Sequence, residues 1–410
     1  MIKITELNCG VRVVTEKIEY VKSAAFGIMV RTGSCDETAL NNGVSHFIEH
    51  MMFKGTDRFS AKELCSEMDK LGSQMNAFTS KETTCYYVKS TSENLIKSAE
   101  LILHMFKDSV FDAGEMARER NVIKEEMKMT QDMPDDLVHE SAVGELLKNS
   151  PLGMGIIGKA SSLNRISRPV LMDYRKNQYT RDAITVSVAG NFDEEELFSI
   201  IEGAFDSFEE TKNDGIPETF DYNRSKKVIV RDIQQSHIDM LTPGLDYNHR
   251  LFFAMSLLNS IMGGSMSSRL FQNIREQKGL AYTVYSAASS FRNSGFFEIY
   301  VGVSHDKIQP ALSGIAEELS ALKKAGISLE ELEMARTQTK AGFIFSLENV
   351  ISHMFANARN LLLRGRVIEA QEIIGNIESV GMEEIDEVKN LISDFENYTI
   401  SLVTDEKIRI

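Results

Sequence analysis

Gly43-Val44-Ser45-His46-Phe47-Ile48-Glu49-His50-Met51-Met52-Phe53-Lys54-Gly55-Thr56 is the stretch on which the chain turns. On a helix, His46 and His50 are one turn apart and share a face. Glu49 lies beside His50 on nearly the same side. Two imidazoles at that spacing can grip one zinc ion, and an adjacent carboxylate can deprotonate a zinc-bound water. An amphipathic helix whose polar stripe happens to hold two histidines gives the same pattern. With only 8 His in 410 residues, a chance pair with Glu inserted is uncommon.

The length fits two domains of about 200 residues each rather than one ordinary core. A hydrophobic share of 42% and a charged share of 26% are those of a globular chain. The formal net charge of -15 argues against nucleic acid and anionic membranes as main partners, and favours basic peptides. No apolar run is long enough to span a bilayer. The N-terminus MIKITELNCGVRVV lacks a charged-then-apolar leader and reads at once as strand and turn, so a cytoplasmic location is expected. Cys9, Cys35, Cys65 and Cys85 form no CxxC pair and read as scattered reduced thiols.

Outward from the histidine helix, strands are expected at 11–15 and 24–31, with the polar loop 32–42 between the second and the helix. A helix over 61–71 starts at Ser60 with Glu63 three residues on, a capping-box pattern. Residues 74–80 and 83–90 read as paired strands. Helices follow at 93–106, 114–129, 135–147 and 169–176, then a strand at 183–189 and a helix at 194–205. The charged, turn-rich stretch 209–224 reads as a linker between units at 1–208 and 225–410. The second half repeats the order of the first: two strands, two helices, two strands, more helices and a last strand at 399–403. The fold class expected is α+β, with two similar units, each a mostly antiparallel sheet covered by helices. The second unit has no HxxEH, so one unit would carry chemistry and the other would shape the site.

Zinc held by two His needs a third protein ligand and an open position. Glu119, Val122, Ile123 and Glu126 follow the i, i+3, i+4, i+7 pattern of one helix face. Carboxylates sharing a face with Val and Ile call for a cation, because buried charge is costly unless paired. Glu126 is the candidate ligand, and Glu119 a carboxylate that orients a ligand or tunes the metal. Glu125 points about 100° away, toward solvent. An ordinary charged helix with lysine partners satisfies the same pattern.

These residues resemble the inverted-motif zinc peptidases that include pitrilysin, insulin-degrading enzyme and mitochondrial processing peptidase. The likeness covers essentially the whole chain. It is closest to short bacterial members similar to the catalytic subunit of mitochondrial processing peptidase. NGVSHFIEHMMFKGT matches that family's metal helix, and ERNVIKEEM its downstream acidic helix. The resemblance implies a zinc endopeptidase with one Zn2+ per chain, ligands His46, His50 and Glu126, Glu49 as general base and Glu119 in support. Asn76, Ala77 and Phe78 resemble the family's edge strand, which takes up an extended peptide by β-addition. From pattern alone they make a plain core hairpin. Arg275 and Tyr282 match the Arg and Tyr that the family's second unit directs at the zinc site of the first, which implies substrate contact; read alone, they are a solvated helix residue and an amphipathic strand residue. The compact 262–268 stretch replaces the glycine-rich loop of the family's non-catalytic subunit.

The resemblance further implies peptide or unfolded polypeptide substrates and a homodimer enclosing them, with neither nucleic acid nor membrane as partner. The competing reading is a non-enzymatic scaffold or a partner-dependent subunit of a processing complex. The remaining histidines, His104, His139, His237, His249, His305 and His353, have no His partner at ligand spacing and need no special role.

Overall fold

The computed structural model describes residues 2–210 and 221–408. The first half of the chain opens with β1 (Ile2–Glu6), β2 (Arg12–Lys17), β3 (Ser23–Val30), α1 (Val44–Met52), α2 (Ala61–Lys70), β4 (Gln74–Thr79) and β5 (Thr84–Thr91). It continues with α3 (Leu95–Asp108), α4 (Ala113–Asp132), α5 (Pro134–Leu146), α6 (Ala160–Leu163), α7 (Arg168–Gln178), β6 (Ile184–Gly190) and α8 (Glu194–Phe205). The second half contains β7 (Lys226–Val230), β8 (Ser236–Pro243), α9 (Phe252–Met262), β9 (Ala281–Ser290) and β10 (Gly295–Val303). A run of helices follows, α10 (Ile308–Ala325), α11 (Leu329–Ser346), α12 (Val350–Arg364), α13 (Ala370–Ser379) and α14 (Met382–Ile392), before β11 (Thr399–Thr404).

One sheet has the order β1-β2-β6-β3-β5-β4, the other β7-β11-β8-β10-β9. All neighbours pair antiparallel except β2 with β6 and β7 with β11. In the first half the last strand, β6, lies between β2 and β3 and runs parallel to β2; in the second, β11 lies between β7 and β8 and runs parallel to β7. The repeat read from the sequence is thus a repeat of topology, with β1 as an added edge strand. β3, SAAFGIMV, is apolar over nearly its whole length and buried on both faces, as a central strand covered by helices must be. The Ser60–Glu63 capping box forms as its spacing predicts, with Ser60 Oγ accepting from Glu63 N at 3.3 Å and Glu63 Oε2 accepting from Ser60 N at 2.8 Å.

The compact units are not contiguous in sequence. The first comprises residues 2–127, 154–210 and 345–369; the second comprises 128–153, 221–344 and 370–408. The division expected at 1–208 and 225–410 therefore misses two exchanged segments. α12, from late in the chain, packs on β2, β3 and β6, where Val350 and Met354 bury against Ala25 and Ala189. α5, from early in the chain, packs on β8 and β11. Apolar patterning tells a helix that it must pack; it does not say on which sheet. Of the expected linker, 211–220 lies outside the described residues, while Asn223 is fastened to Leu146 O and Glu145 O. No helix among the described residues is long and apolar enough to cross a membrane.

Candidate active site

α1 lies against β4 and β5, with Val44, Phe47, Ile48 and Met51 buried in the core of the first unit. Its start is specified by two residues. Gly43 has φ 93°, and a Cβ there would stand 2.5 Å from the Ile157 carbonyl oxygen, so only glycine fits. Buried Glu37 then accepts from the first free amides of the helix, Gly43 N at 2.7 Å and Ser45 N at 2.8 Å, and from Asn42 Nδ2 at 2.8 Å. A carboxylate at a helix N-terminus satisfies those donors and meets the positive end of the helix dipole. Ser45 is pinned from the other side by Tyr174, hydroxyl to hydroxyl at 3.0 Å.

The anchored helix presents His46 and His50 to one carboxylate of α4. His46 Nε2 is 3.7 Å from Glu126 Oε1, and His50 Nε2 is 3.5 Å from Glu126 Oε2. Donor atoms of the three residues all lie within 4.8 Å of one another. Ligands about 2.1 Å from a tetrahedral zinc stand about 3.4 Å apart, so the trio is spaced for one ion. His46 gives an independent sign of fit. Its Nδ1 is buried without a protein partner, and its Nε2 is too far from Glu126 for a hydrogen bond. Burial, then the neighbouring His50, push the His46 pKa down to about 4, with Glu126 only partly opposing. A neutral imidazole with an available lone pair is what a metal requires. The donor set and its surroundings fit zinc.

Around this trio stand supports that differ in how far the sequence reveals them. Glu119, one face along from Glu126, is buried and takes His50 Nδ1 at 3.1 Å and Lys54 Nζ at 2.8 Å. Glu125 is exposed, as expected. Val122 is not on the buried arc: it is 49% exposed, while Met116, Glu119 and Ile123 are buried. The shared face is narrower than the sequence pattern drew it. Burial raises the Glu49 pKa, and Glu126 adds to this, while Thr79 and His50 hold it down. Thr79 Oγ1 donates to Glu49 Oε2 at 2.5 Å. That role for Thr79, like those of Glu37 and Lys54, was missed; Thr79 and Glu37 lie outside α1, and no local pattern marks them.

Asn76, Ala77 and Phe78 lie on β4, the last strand of its sheet, which among the described residues pairs only with β5. Asn76 Oδ1 accepts from Ala77 N at 2.8 Å, and the Phe78 ring meets Phe355 edge-on at 5.4 Å. In the second unit, Arg275 sits in a π-helical turn, Phe271–Gln277. Its guanidinium lies over the rings of Phe271 at 4.7 Å and Tyr282 at 5.4 Å. Arg275 and Tyr282 are therefore partners, with Tyr282 74% exposed on edge strand β9. Cys9, Cys35, Cys65 and Cys85 form no disulfide, and of the four only Cys65 is exposed.

The sequence matches two family models, the insulinase model of peptidase family M16 over residues 12–160 and the M16 inactive-domain model over 165–339. Fold and sequence together define a two-unit chain of the M16 type. The chain belongs to the insulinase family, peptidase family M16. It is 38% identical to an uncharacterized zinc protease of Bacillus subtilis, covering 98% of both chains. It is 33% identical to an uncharacterized zinc protease of Rickettsia felis, covering 98% of this chain and 96% of that one. The fold is shared with a protease from Helicobacter pylori, at TM-score 0.89 and 21% identity over 98% of this chain and 99% of that one. It is also shared with a Pseudomonas fluorescens structure described as a peptidase M16 inactive domain, at TM-score 0.92 and 16% identity over 100% and 99% of the two chains.

Proposed function

We propose that this chain is a zinc-dependent endopeptidase acting on peptides and unfolded or presequence-like segments. One observation carries the reading: two imidazoles and a carboxylate converge at ligand spacing with a buried carboxylate, Glu49, beside them. His46, His50 and Glu126 would hold one ion. When bound, zinc supplies Lewis acidity and brings the pKa of its water toward neutrality. Glu49 takes the proton of the attacking water and delivers one to the leaving amine. Thr79 holds Glu49 in place through its hydroxyl. Glu119 fixes the ring of His50. The free edge of β4 at Asn76–Phe78 takes the substrate backbone in an extended form, with main-chain bonds that ask little of its sequence. Arg275 holds a substrate carbonyl and Tyr282 donates to the developing oxyanion.

In the proposal the working form is a homodimer that encloses its substrate, similar to the processing peptidases. The scaffold reading is weakened by the complete donor set, which a non-enzymatic subunit has no need to keep. The test is Glu49→Gln, incubated as zinc-loaded full-length protein with a mixed peptide library and read by mass spectrometry. Cleavage should vanish while zinc is retained; near-normal hydrolysis would reject the role of Glu49. Mixing Glu49→Gln with Tyr282→Phe chains should restore part of the activity if Tyr282 serves the partner's site. A strictly monomeric active protein would exclude the dimer.

A further inference from the structure

A second cluster of ligand-type side chains lies in the other unit, far in sequence from HxxEH. Register pairs Asp239 of β8 with Tyr300 of β10, and Leu241 with Glu298. With a side-chain period of two, Asp239, Glu298 and Tyr300 share one sheet face. That face is covered by α5, held by a hydroxyl contact between Ser141 and Ser401 at 3.1 Å. From α5, His139 Nδ1 reaches Asp239 Oδ2 at 3.0 Å and Glu298 Oε1 at 3.4 Å. The three donor atoms lie within 4.8 Å of one another, the bound that also holds for His46, His50 and Glu126. Sequence spacing marks no special role for His139, because its partners are carboxylates on distant strands.

We propose that His139, Asp239 and Glu298 form a second divalent-cation site, for a first-row ion of the zinc or manganese class. It is additional to the single zinc of the peptidase reading and does not depend on that reading. Three observations support it. The donor spacing brackets the ligand-to-ligand distance of about 3.4 Å around a small tetrahedral ion, and one imidazole with two carboxylates suits such ions. Charge also favours it. Asp239 is 0% and Glu298 5% exposed, so two buried carboxyl groups face a single imidazole. A divalent ion with neutral imidazole balances both acids. The third observation is an under-satisfied carboxylate: Asp239 Oδ1 is buried without a well-formed hydrogen bond, the neighbouring Met240 amide acting on the group from its own backbone, while Oδ2 reaches His139.

Burial, helped by Glu298, pushes Asp239 up to about 7, with His139 opposing. Burial works against a charge on His139, yet Asp239 and Glu298 pull it up to about 10. The His139 side chain is 43% exposed, which leaves a route for an ion from solvent. Bound there, the ion would stitch α5 to β8 and β10, so the site's role is structural.

The test uses the full-length chain carrying His46→Ala and Glu126→Ala, which clears the first site. It is dialysed separately against Zn2+ and Mn2+ at micromolar free metal, then its metal is counted by plasma mass spectrometry. The expected result is about one equivalent of one of the ions, and a raised thermal midpoint in that metal. Adding His139→Ala should abolish both the retained metal and the midpoint shift. Glu298→Gln is the second variant, because it preserves side-chain volume; circular dichroism checks that each variant folds. No metal above the buffer blank in the cleared chain, while the parent keeps one equivalent, would overturn the proposal. Equal retention with and without His139 would overturn the ligand set.

Discussion

The Nδ1–H of His50 donates to Glu119 Oε2 over 3.1 Å. Glu126 and Glu119 both raise the His50 pKa, with burial opposing; once the ring is neutral, the bond to Glu119 keeps the proton on Nδ1 and puts the lone pair on Nε2, which faces Glu126. Lys54 holds the other oxygen of Glu119 at 2.8 Å, so the carboxylate cannot rotate away. Glu119→Ala should therefore weaken zinc about 10–100-fold, the usual effect of removing a carboxylate that orients a ligating histidine. Competition against a chromophoric chelator measures it. Unchanged affinity would show that the ring of His50 is held by packing alone.

Thr79 and Glu49 meet at 2.5 Å, although they are thirty residues apart. The hydroxyl donates to one carboxylate oxygen and leaves the other to handle protons. Thr79→Val keeps the volume and removes the donor. It should lower kcat about tenfold, equivalent to about 1.4 kcal/mol, with KM little changed. Steady-state kinetics on a peptide cleaved by the parent protein decides it; an equal rise in KM would point to the substrate strand instead.

Part of this site was legible in the sequence, and the part that was follows a rule. His46, Glu49 and His50 belong to one helix, as do Glu119 and Glu126, and helical spacing alone puts each set together. Val122 shows the limit of that rule, because the width of a buried arc depends on the neighbour, and α4 buries Ile123 but not Val122. The bonds from Thr79 to Glu49 and from Gly43 to Glu37 depend on where a strand and a loop come to rest, which no periodicity encodes. The same holds for His139, whose acids are 100 positions or more away. The repeat of sheet order was readable because each half runs through the same succession of strands and helices. The exchange of α5 and α12 was not, since either helix would bury its apolar stripe on either sheet.

Glu37 is 4% exposed and joins three donors, two of them amides at the start of α1. Burial raises its pKa, while the amides of Ser45 and Gly43 and the side chain of Asn42 work to keep it ionised. Glu37→Ala leaves those donors buried and unpaired. The expected loss is about 3 kcal/mol, since hydrogen bonds to a charged group are worth about 1.5–3 kcal/mol and the stranded donors add to it. Denaturant unfolding should show a lower midpoint. Because α1 carries both imidazoles, zinc retention should fall in parallel; a variant as stable as the parent would remove Glu37 from this role.

His353 of α12 donates from Nδ1 to Glu16 Oε2 at 2.9 Å and from Nε2 to the Leu347 carbonyl at 2.7 Å, so both ring nitrogens act as donors and the ring is a cation. Asn357 donates to the same Glu16 oxygen at 2.7 Å, and together they fasten α12 to β2. Glu16 raises the His353 pKa above its ordinary 6.5, with burial opposing. Burial alone would raise Glu16, but the bonds from His353 and Asn357 outweigh it and bring it below its ordinary 4.5. The signs give a window. A raised histidine stabilises fully below its unfolded value and loses that contribution as pH rises through its folded one. A lowered carboxylate stabilises above its unfolded value and loses that contribution as pH falls through its folded one. The pair therefore contributes most between 4.5 and 6.5, and less on either side. His353→Ala should cost about 2 kcal/mol inside that window. Thermal melts of parent and variant across pH test this: their midpoints should converge in alkali, where His353 has lost its proton, and a gap that stays constant through that range would mean that packing, not the ion pair, holds α12 in place.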